Sequence, residues 1–417
     1  MRILFITPTF PPQHCDIGNH TFRLAQAIGQ YGHESAVITR AGDINGAGSR
    51  GEVYNVIGRW DFSCLKPIYR TINDWRPDIV HLQYEEAAFR GEAAICFLPL
   101  LLWKKGIPCC VTLHEACPPF FWHGAVRVRL GGKIKFPWLD LIPPGILSRA
   151  GFSPAALSRH RTSALKSLLG CASRIIVSNQ EGKDFVTPFV TRKRNIVSIP
   201  MGTGIAVAER SEPEKINHLR LPSGKFLMIY LGYLLPSKGI GELIEAMGLL
   251  KTEPVHLIIM GGKNEFMPEA DYRKMLEVWK GRADELGISE CITWTGFIDE
   301  RTASQLLPRA RIAVLPFRDG AVFKRSSLMT AIAHGLPIVT TEGKFTTADV
   351  RTLRSVVFVR PGDSQGLAEK CRQIIRSDQE YSQLRIQAKV LQEKFSWQAI
   401  AVRTAGIYHE LAGISLS

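Results

Sequence analysis

At 417 residues the chain is longer than one hydrophobic core ordinarily supports, and two domains are expected. Its 45% hydrophobic and 22% charged residues are typical of a soluble globular protein, and nine scattered cysteines with no Cys-x-x-Cys pair argue against a disulfide frame or a zinc site. The net charge of +14 is uneven, with 15 Lys/Arg against 4 Asp/Glu in residues 101–200 but 9 against 10 in the first hundred; such a stretch suits an anionic membrane or substrate, and no helix-turn-helix, zinc-finger or RNA-binding signature accompanies it to indicate nucleic acid.

The opening Met1-Arg-Ile-Leu-Phe-Ile-Thr-Pro is too short and too soon broken by proline for a signal peptide, and reads as a first strand over 3–7. A loop follows, with a helix expected from Asn19 or His20. Gly18 would let backbone approach a ligand closely at that helix start, although a routine strand-to-helix turn explains it too. Further strands are expected at 35–39, 79–84, 109–114, 175–178 and 196–200. His81 lies mid-strand and reads as structural. His114 ends its strand, on the edge where open α/β sheets carry function, though a core histidine satisfied by backbone is the competing reading. The apolar run 93–103 is interrupted by Pro99 and too short to span a bilayer, so a buried helix is expected.

Residues 116–152 read as an insertion. Phe120, Phe121, Trp122, Phe136 and Trp138 mix there with Arg127, Arg129, Lys133 and Lys135. That blend suits a membrane interface or a lipid-phosphate acceptor, and equally a lid packed on the protein. A polar stretch over 203–223 reads as a linker.

The second half repeats the alternation of strand and helix, with strands expected at 226–232, 255–261, 292–297, 312–317, 338–341 and 356–359. Lys238 lies at the start of a helix over 240–250. A lysine there opposes the helix macrodipole, and a bound diphosphate would explain its placement. The segment 312–341 is the most informative stretch of the chain. A buried strand leads into a loop with Arg318, Asp319, Gly320, Lys324 and Arg325. Ser326 and Ser327 are expected to cap a helix carried by Leu328, Met329, Ile332 and Ala333, and Gly335 ends it. Cations and hydroxyls at a helix N-terminus form an anion site, above all for phosphate.

Continuous apolar strands alternating with helices indicate parallel sheets covered on both faces. Two such sets predict an α/β protein of two doubly wound, Rossmann-like domains facing a central cleft, with ligands outside the carboxyl ends of the strands.

These motifs together resemble the group 1 (family 4) retaining glycosyltransferases of the GT-B fold. The resemblance is carried by FPPQHCDIGNHTFRLAQAIGQYGHE, DIVHLQYE, VTLHE, IVSN and IPMG in the first half. GYLLPSKGIGELIEA, HLIIMGG, WTGFID and AHGLPIVTT carry it in the second. It implies a first domain over 1–205, a donor-binding domain over 206–394, and a final helix over 395–417 crossing back to the first domain. It also implies transfer of a sugar from a nucleotide-diphosphate donor to a glycan or lipid-linked acceptor. No metal or cofactor would be needed. The scattered cysteines point to a reducing, cytoplasmic setting, and the insertion with the basic excess to peripheral contact at the inner face of the membrane.

By the same resemblance Gly18 faces the donor, His114 contacts the donor sugar, Lys238 binds the diphosphate, and Gly296, Phe297 and Ile298 lie at the nucleobase pocket. The chain also departs from the family. Tyr233 stands where the basic partner of the lysine belongs, and Val322 and Thr330 occupy the positions of the Glu-x7-Glu carboxylates. Asp319 is close enough in sequence to replace the first carboxylate. Arg325, Ser326 and Ser327 could grip the diphosphate with charge-assisted hydrogen bonds. The departures leave open a non-catalytic homologue that only binds a sugar nucleotide or glycan, and the fold leaves open a phosphorylase or epimerase.

Overall fold

The computed structural model describes residues 1–13, 15–41, 52–86, 88–89, 92–114, 129–130, 133–134, 164–190, 195–205, 207, 216, 219–263 and 267–413. The backbone forms two compact units. One comprises Met1–Met201 with Trp397–Ser417, and the other Gly202–Ser396.

The first unit is built on a seven-stranded parallel sheet. Its strands are β1 (Arg2–Ile6), β2 (Glu34–Arg40), β3 (Glu52–Ile57), β4 (Ile79–Tyr84), β5 (Cys109–Leu113), β8 (Arg174–Val177) and β9 (Ile196–Ser198), in the order β3-β2-β1-β4-β5-β8-β9. The short antiparallel pair β6 (Arg129–Leu130) and β7 (Lys133–Ile134) lies apart from it. Register pairs Ile3 with Ile79, Val80 with Cys109 and Cys110 with Arg174. Every residue of β4 and β5 is buried, as expected for central strands covered on both faces. One face packs on Ile68, Ile72, Leu102 and Leu168. The opposite face packs on the helix Asp16–Gly29 and the last helix, Trp397–Leu411, which contributes Ile400, Ala401, Ile407 and Tyr408. Burying each large apolar side chain contributes roughly 1.5–3 kcal/mol.

The second unit holds a six-stranded parallel sheet of β10 (Phe226–Leu231), β11 (Val255–Met260), β12 (Ile292–Gly296), β13 (Ile312–Leu315), β14 (Ile338–Thr341) and β15 (Val356–Val359), in the order β12-β11-β10-β13-β14-β15. Register pairs Phe226 with Val255, Met228 with Ile312 and Ile338 with Val356. One continuous core serves this sheet and its helices.

Three local differences from the sequence reading have physical causes. β3 was not expected, because Glu52–Ile57 is an edge strand whose residues, Ile57 apart, are half-buried or exposed, leaving no continuous apolar run. The first helix begins at Asp16 rather than Asn19, so Gly18 lies within its first turn. The 93–103 run is a 3-10 turn, Ala94–Phe97, leading into a short helix, Leu98–Trp103, with Pro99 in its first turn, where a missing N–H is harmless. Trp103 at its end is exposed rather than buried.

Candidate functional site: a histidine cluster and a cation cluster

Each domain gathers its polar side chains at the carboxyl ends of its central strands. In the first, the His114 backbone N–H extends the β4–β5 ladder by donating to Tyr84 O at 3.0 Å. The half-buried His114 ring places Nε2 2.8 Å from Oε1 of Gln83, a β4 residue with no exposed surface. Gln83 Nε2 lies 3.2 Å from His81 Nε2, which is also 2.7 Å from the Thr112 hydroxyl. His81 Nδ1 meets the Tyr408 hydroxyl at 2.5 Å. The His20 ring packs edge-on against His114, with centroids 4.9 Å apart, and against Trp397 at 5.0 Å.

Burial disfavours the charged imidazole. It brings His20 down to about 4 and His81 down to about 3, and holds His114 well below the ordinary histidine value. All three rings are therefore neutral at pH 7.

Gly18 is required by its own loop. A Cβ there would lie 2.8 Å from Thr9 O and 3.2 Å from Phe10 Cα, so the glycine lets residues 9–10 pack on the first helical turn.

The second domain gathers cations instead. Lys238 closes the 3-10 turn Pro236–Lys238. Gly239 follows at φ +76°, and a Cβ on it would lie 1.9 Å from Pro316 O, so only glycine lets this turn pass the end of β13. Lys238 Nζ sits 5.3 Å from the centroid of the wholly buried Phe317 ring, and the Arg325 guanidinium carbon sits 4.2 Å from the same ring. Arg325 Nε donates to Gly320 O at 3.1 Å, and its terminal nitrogen pairs with Asp319. Burial, then the nearby Arg325 charge, brings Lys238 down to about 8, with Asp319 acting in the opposite sense.

Arg325 also occupies the N-cap position of the helix Ser326–Ala333, and no side chain caps that helix. This corrects the expectation for the serines. Ser326 and Ser327 are the first two helical residues, because the backbone is still extended at Arg325 (φ −82°, ψ 111°). The helix start therefore presents backbone N–H groups beside two cations. Lys238 likewise precedes the helix Ile240–Leu249 instead of opening it. Gly232, at φ +128°, follows β10 beside the Ser326–Ala333 helix start, where a Cβ would lie 3.5 Å from that of Ser327.

Tyr233 and Phe297 are exposed and meet edge-to-face at 6.1 Å, next to Gly296 (φ +66°) and the half-buried Ile298. Val322 and Thr330, the positions of the family's carboxylates, are 2% and 3% exposed. Thr330 Oγ1 is 3.0 Å from Thr203 Oγ1. Asp319 offers a carboxylate in this loop, held by Arg325.

Residues 17–205 match the family described as Glycosyltransferase Family 4, and residues 225–377 match Glycosyl transferases group 1. The chain belongs to the group 1 glycosyltransferases. This glycosyltransferase is 24% identical over 424 residues to an uncharacterized glycosyltransferase of Methanocaldococcus jannaschii, with 98% of each chain covered. Its fold is GT-B. It resembles sucrose-phosphate synthase from Thermosynechococcus elongatus with a TM-score of 0.65 at 15% identity, covering 99% of this chain and 100% of that one. It resembles Anabaena HepE in complex with UDP-glucose with a TM-score of 0.62 at 18% identity, covering 98% and 100%.

The insertion expected at 116–152 lies outside the described residues except for β6 and β7. Among the described residues no helix of the glycosyltransferase is long and apolar enough to cross a membrane. Sequence reasoning missed His20, Gln83 and Phe317. For Gln83 a signal existed: with His81 it places two polar residues on one face of an otherwise largely apolar strand. For Phe317 none did, since a strand-end phenylalanine that floors a cation pair is indistinguishable from core.

Proposed function

We propose that this glycosyltransferase moves a sugar from a nucleoside-diphosphate donor to a glycan or glycolipid acceptor, with retention and without a metal. The observation that carries the reading is the convergence of Lys238 and Arg325 over Phe317, beside a helix start that no side chain caps. Two desolvated cations and a set of backbone N–H groups stabilise charge on a departing diphosphate, which is the demand this reaction makes most strongly. The similar fold of HepE in complex with UDP-glucose supports a donor of that class. Asp319 holds Arg325 in place. Tyr233, Gly296, Phe297 and Ile298 form the side on which a nucleobase would lie, and His114 serves the transferred sugar. The cations supply charge that a divalent metal would otherwise provide. A peripheral contact with anionic membrane is proposed from the basic excess of residues 101–200. Unchanged vesicle binding after removal of the aromatic and basic residues of 120–138 would overturn that contact.

The test is calorimetric binding of UDP, GDP, ADP and TDP to the purified protein, beside Lys238→Ala and Arg325→Ala. Micromolar binding of one nucleotide that both variants lose supports the site. A folded protein that binds none of the four refutes it.

A further inference from the structure

The histidine cluster contains more order than a single sugar contact needs. The two ends of the buried Gln83 amide are divided between two histidines, with Oε1 2.8 Å from His114 Nε2 and Nε2 3.2 Å from His81 Nε2. An amide oxygen only accepts and an amide nitrogen only donates. His114 therefore carries its proton on Nε2, while His81 Nε2 is bare and accepts also from the Thr112 hydroxyl at 2.7 Å. The His81 proton is then on Nδ1, which donates to the Tyr408 hydroxyl. His114 Nδ1, on the other edge of a half-buried ring, has no partner among the described residues and is a bare acceptor. Turning the Gln83 amide end for end would reverse the proton position on both rings together.

We propose that Gln83 is a positioning residue that couples the tautomers of His81 and His114 and holds the pair in which His114 presents a bare Nδ1. The proposal rests on the reading that His114 serves the transferred sugar. A bare Nδ1 accepts from a sugar hydroxyl, whereas the other tautomer would offer an N–H to a hydroxyl oxygen. The alternative to a tautomer device, an imidazolium, is disfavoured by the surroundings. His20 packs against His114, His81 lies beyond Gln83, and burial of all three rings opposes protonation. A neutral amide distributes protons without adding the charge that a carboxylate in its place would bring.

Long-range nitrogen–proton correlation spectra of the histidine rings, recorded at pH 7 on the full chain, test the proposal without any substrate. The wild type is expected to show His114 as a single Nε2–H tautomer and His81 as Nδ1–H. Tyr408→Phe keeps the buried ring and removes the acceptor for His81 Nδ1–H. His114 should then shift toward Nδ1–H although Tyr408 does not touch it. Gln83→Met should uncouple the pair, leaving His114 a tautomer mixture. Should Tyr408→Phe fail to fold, Gln83→Met carries the test alone. A wild-type His114 that is mixed or Nδ1-protonated overturns the proposal, and so does a His114 tautomer unmoved by the folded variants. The sugar-contact reading is tested separately by His114→Ala, with transfer from UDP-glucose and UDP binding as readouts. Full transfer with the tautomers behaving as stated would sink that reading and leave the coupling standing.

Discussion

The two polar clusters use opposite electrostatics in the same kind of place. Both lie where parallel strands end, and both rest on buried aromatic or imidazole rings. The first-domain cluster is neutral. Its histidines are pushed below their ordinary range, and the chain from His114 through Gln83 to Tyr408 is joined by hydrogen bonds. The second-domain cluster keeps its charge: Arg325 is tied to Asp319, and Lys238 stands over the same ring. A neutral network suits discrimination among hydroxyls, and a desolvated cation pair suits a diphosphate. The difference follows from the backbone. Tyr84 and Leu113 end fully buried strands, whereas residues 317–326 lead a charged loop into an uncapped helix.

The contrast can be broken most severely by placing a charge where the family keeps one. Val322→Glu restores a carboxylate at a position that is 2% exposed here. An unpaired buried charge costs about 3–5 kcal/mol, and the urea midpoint should fall accordingly. A stable variant that binds nucleotide more tightly would show that position 322 faces the donor.

Acid should separate the domains next. His20 and His81 titrate at about 4 and about 3 in the folded chain, below free imidazole. The unfolded chain therefore binds more protons once the pH drops below about 6.5, and stability is lost as pH falls from there toward 4. Each ring accounts for on the order of 3 kcal/mol by pH 4. Thermal unfolding followed with a first-domain probe should weaken across this window ahead of a second-domain probe. Coincident behaviour would remove the electrostatic contrast.

Removing either cation should weaken nucleoside-diphosphate binding by roughly 1.5–3 kcal/mol, about 10- to 150-fold, in calorimetry. The free-protein Lys238 value of about 8 adds a sign. Below it the ammonium is already charged. Above it, binding a diphosphate must take up a proton, so affinity falls as pH rises past 8. Lys238→Ala should abolish that slope. A slope that survives would mean another group carries it.

The smallest effect sharpens the boundary of the cation cluster. Thr330→Val removes the buried hydroxyl pair with Thr203 and should cost about 1 kcal/mol of stability while leaving nucleotide affinity unchanged. Lost affinity at unchanged stability would place Thr330 at the donor.

Strand positions and domain number followed from the alternation of apolar runs and helical periodicity, because burial on both faces leaves an uninterrupted signal over short segments. β3 escaped because a half-buried edge strand leaves a mixed one. Lys238, Arg325 and His114 stood out as candidates because charged or titratable residues before a helix or at a strand end interrupt the apolar pattern. Their partners did not. Only the tertiary structure brings Tyr408, 327 residues away, to His81, turns Arg325 back onto Asp319, and buries Val322. Local sequence determines which residues favour a strand, a turn or a helix start, since those preferences act over a few bonds. Which proton sits on which nitrogen, and which lysine loses its water, depends on packing between segments far apart in the chain.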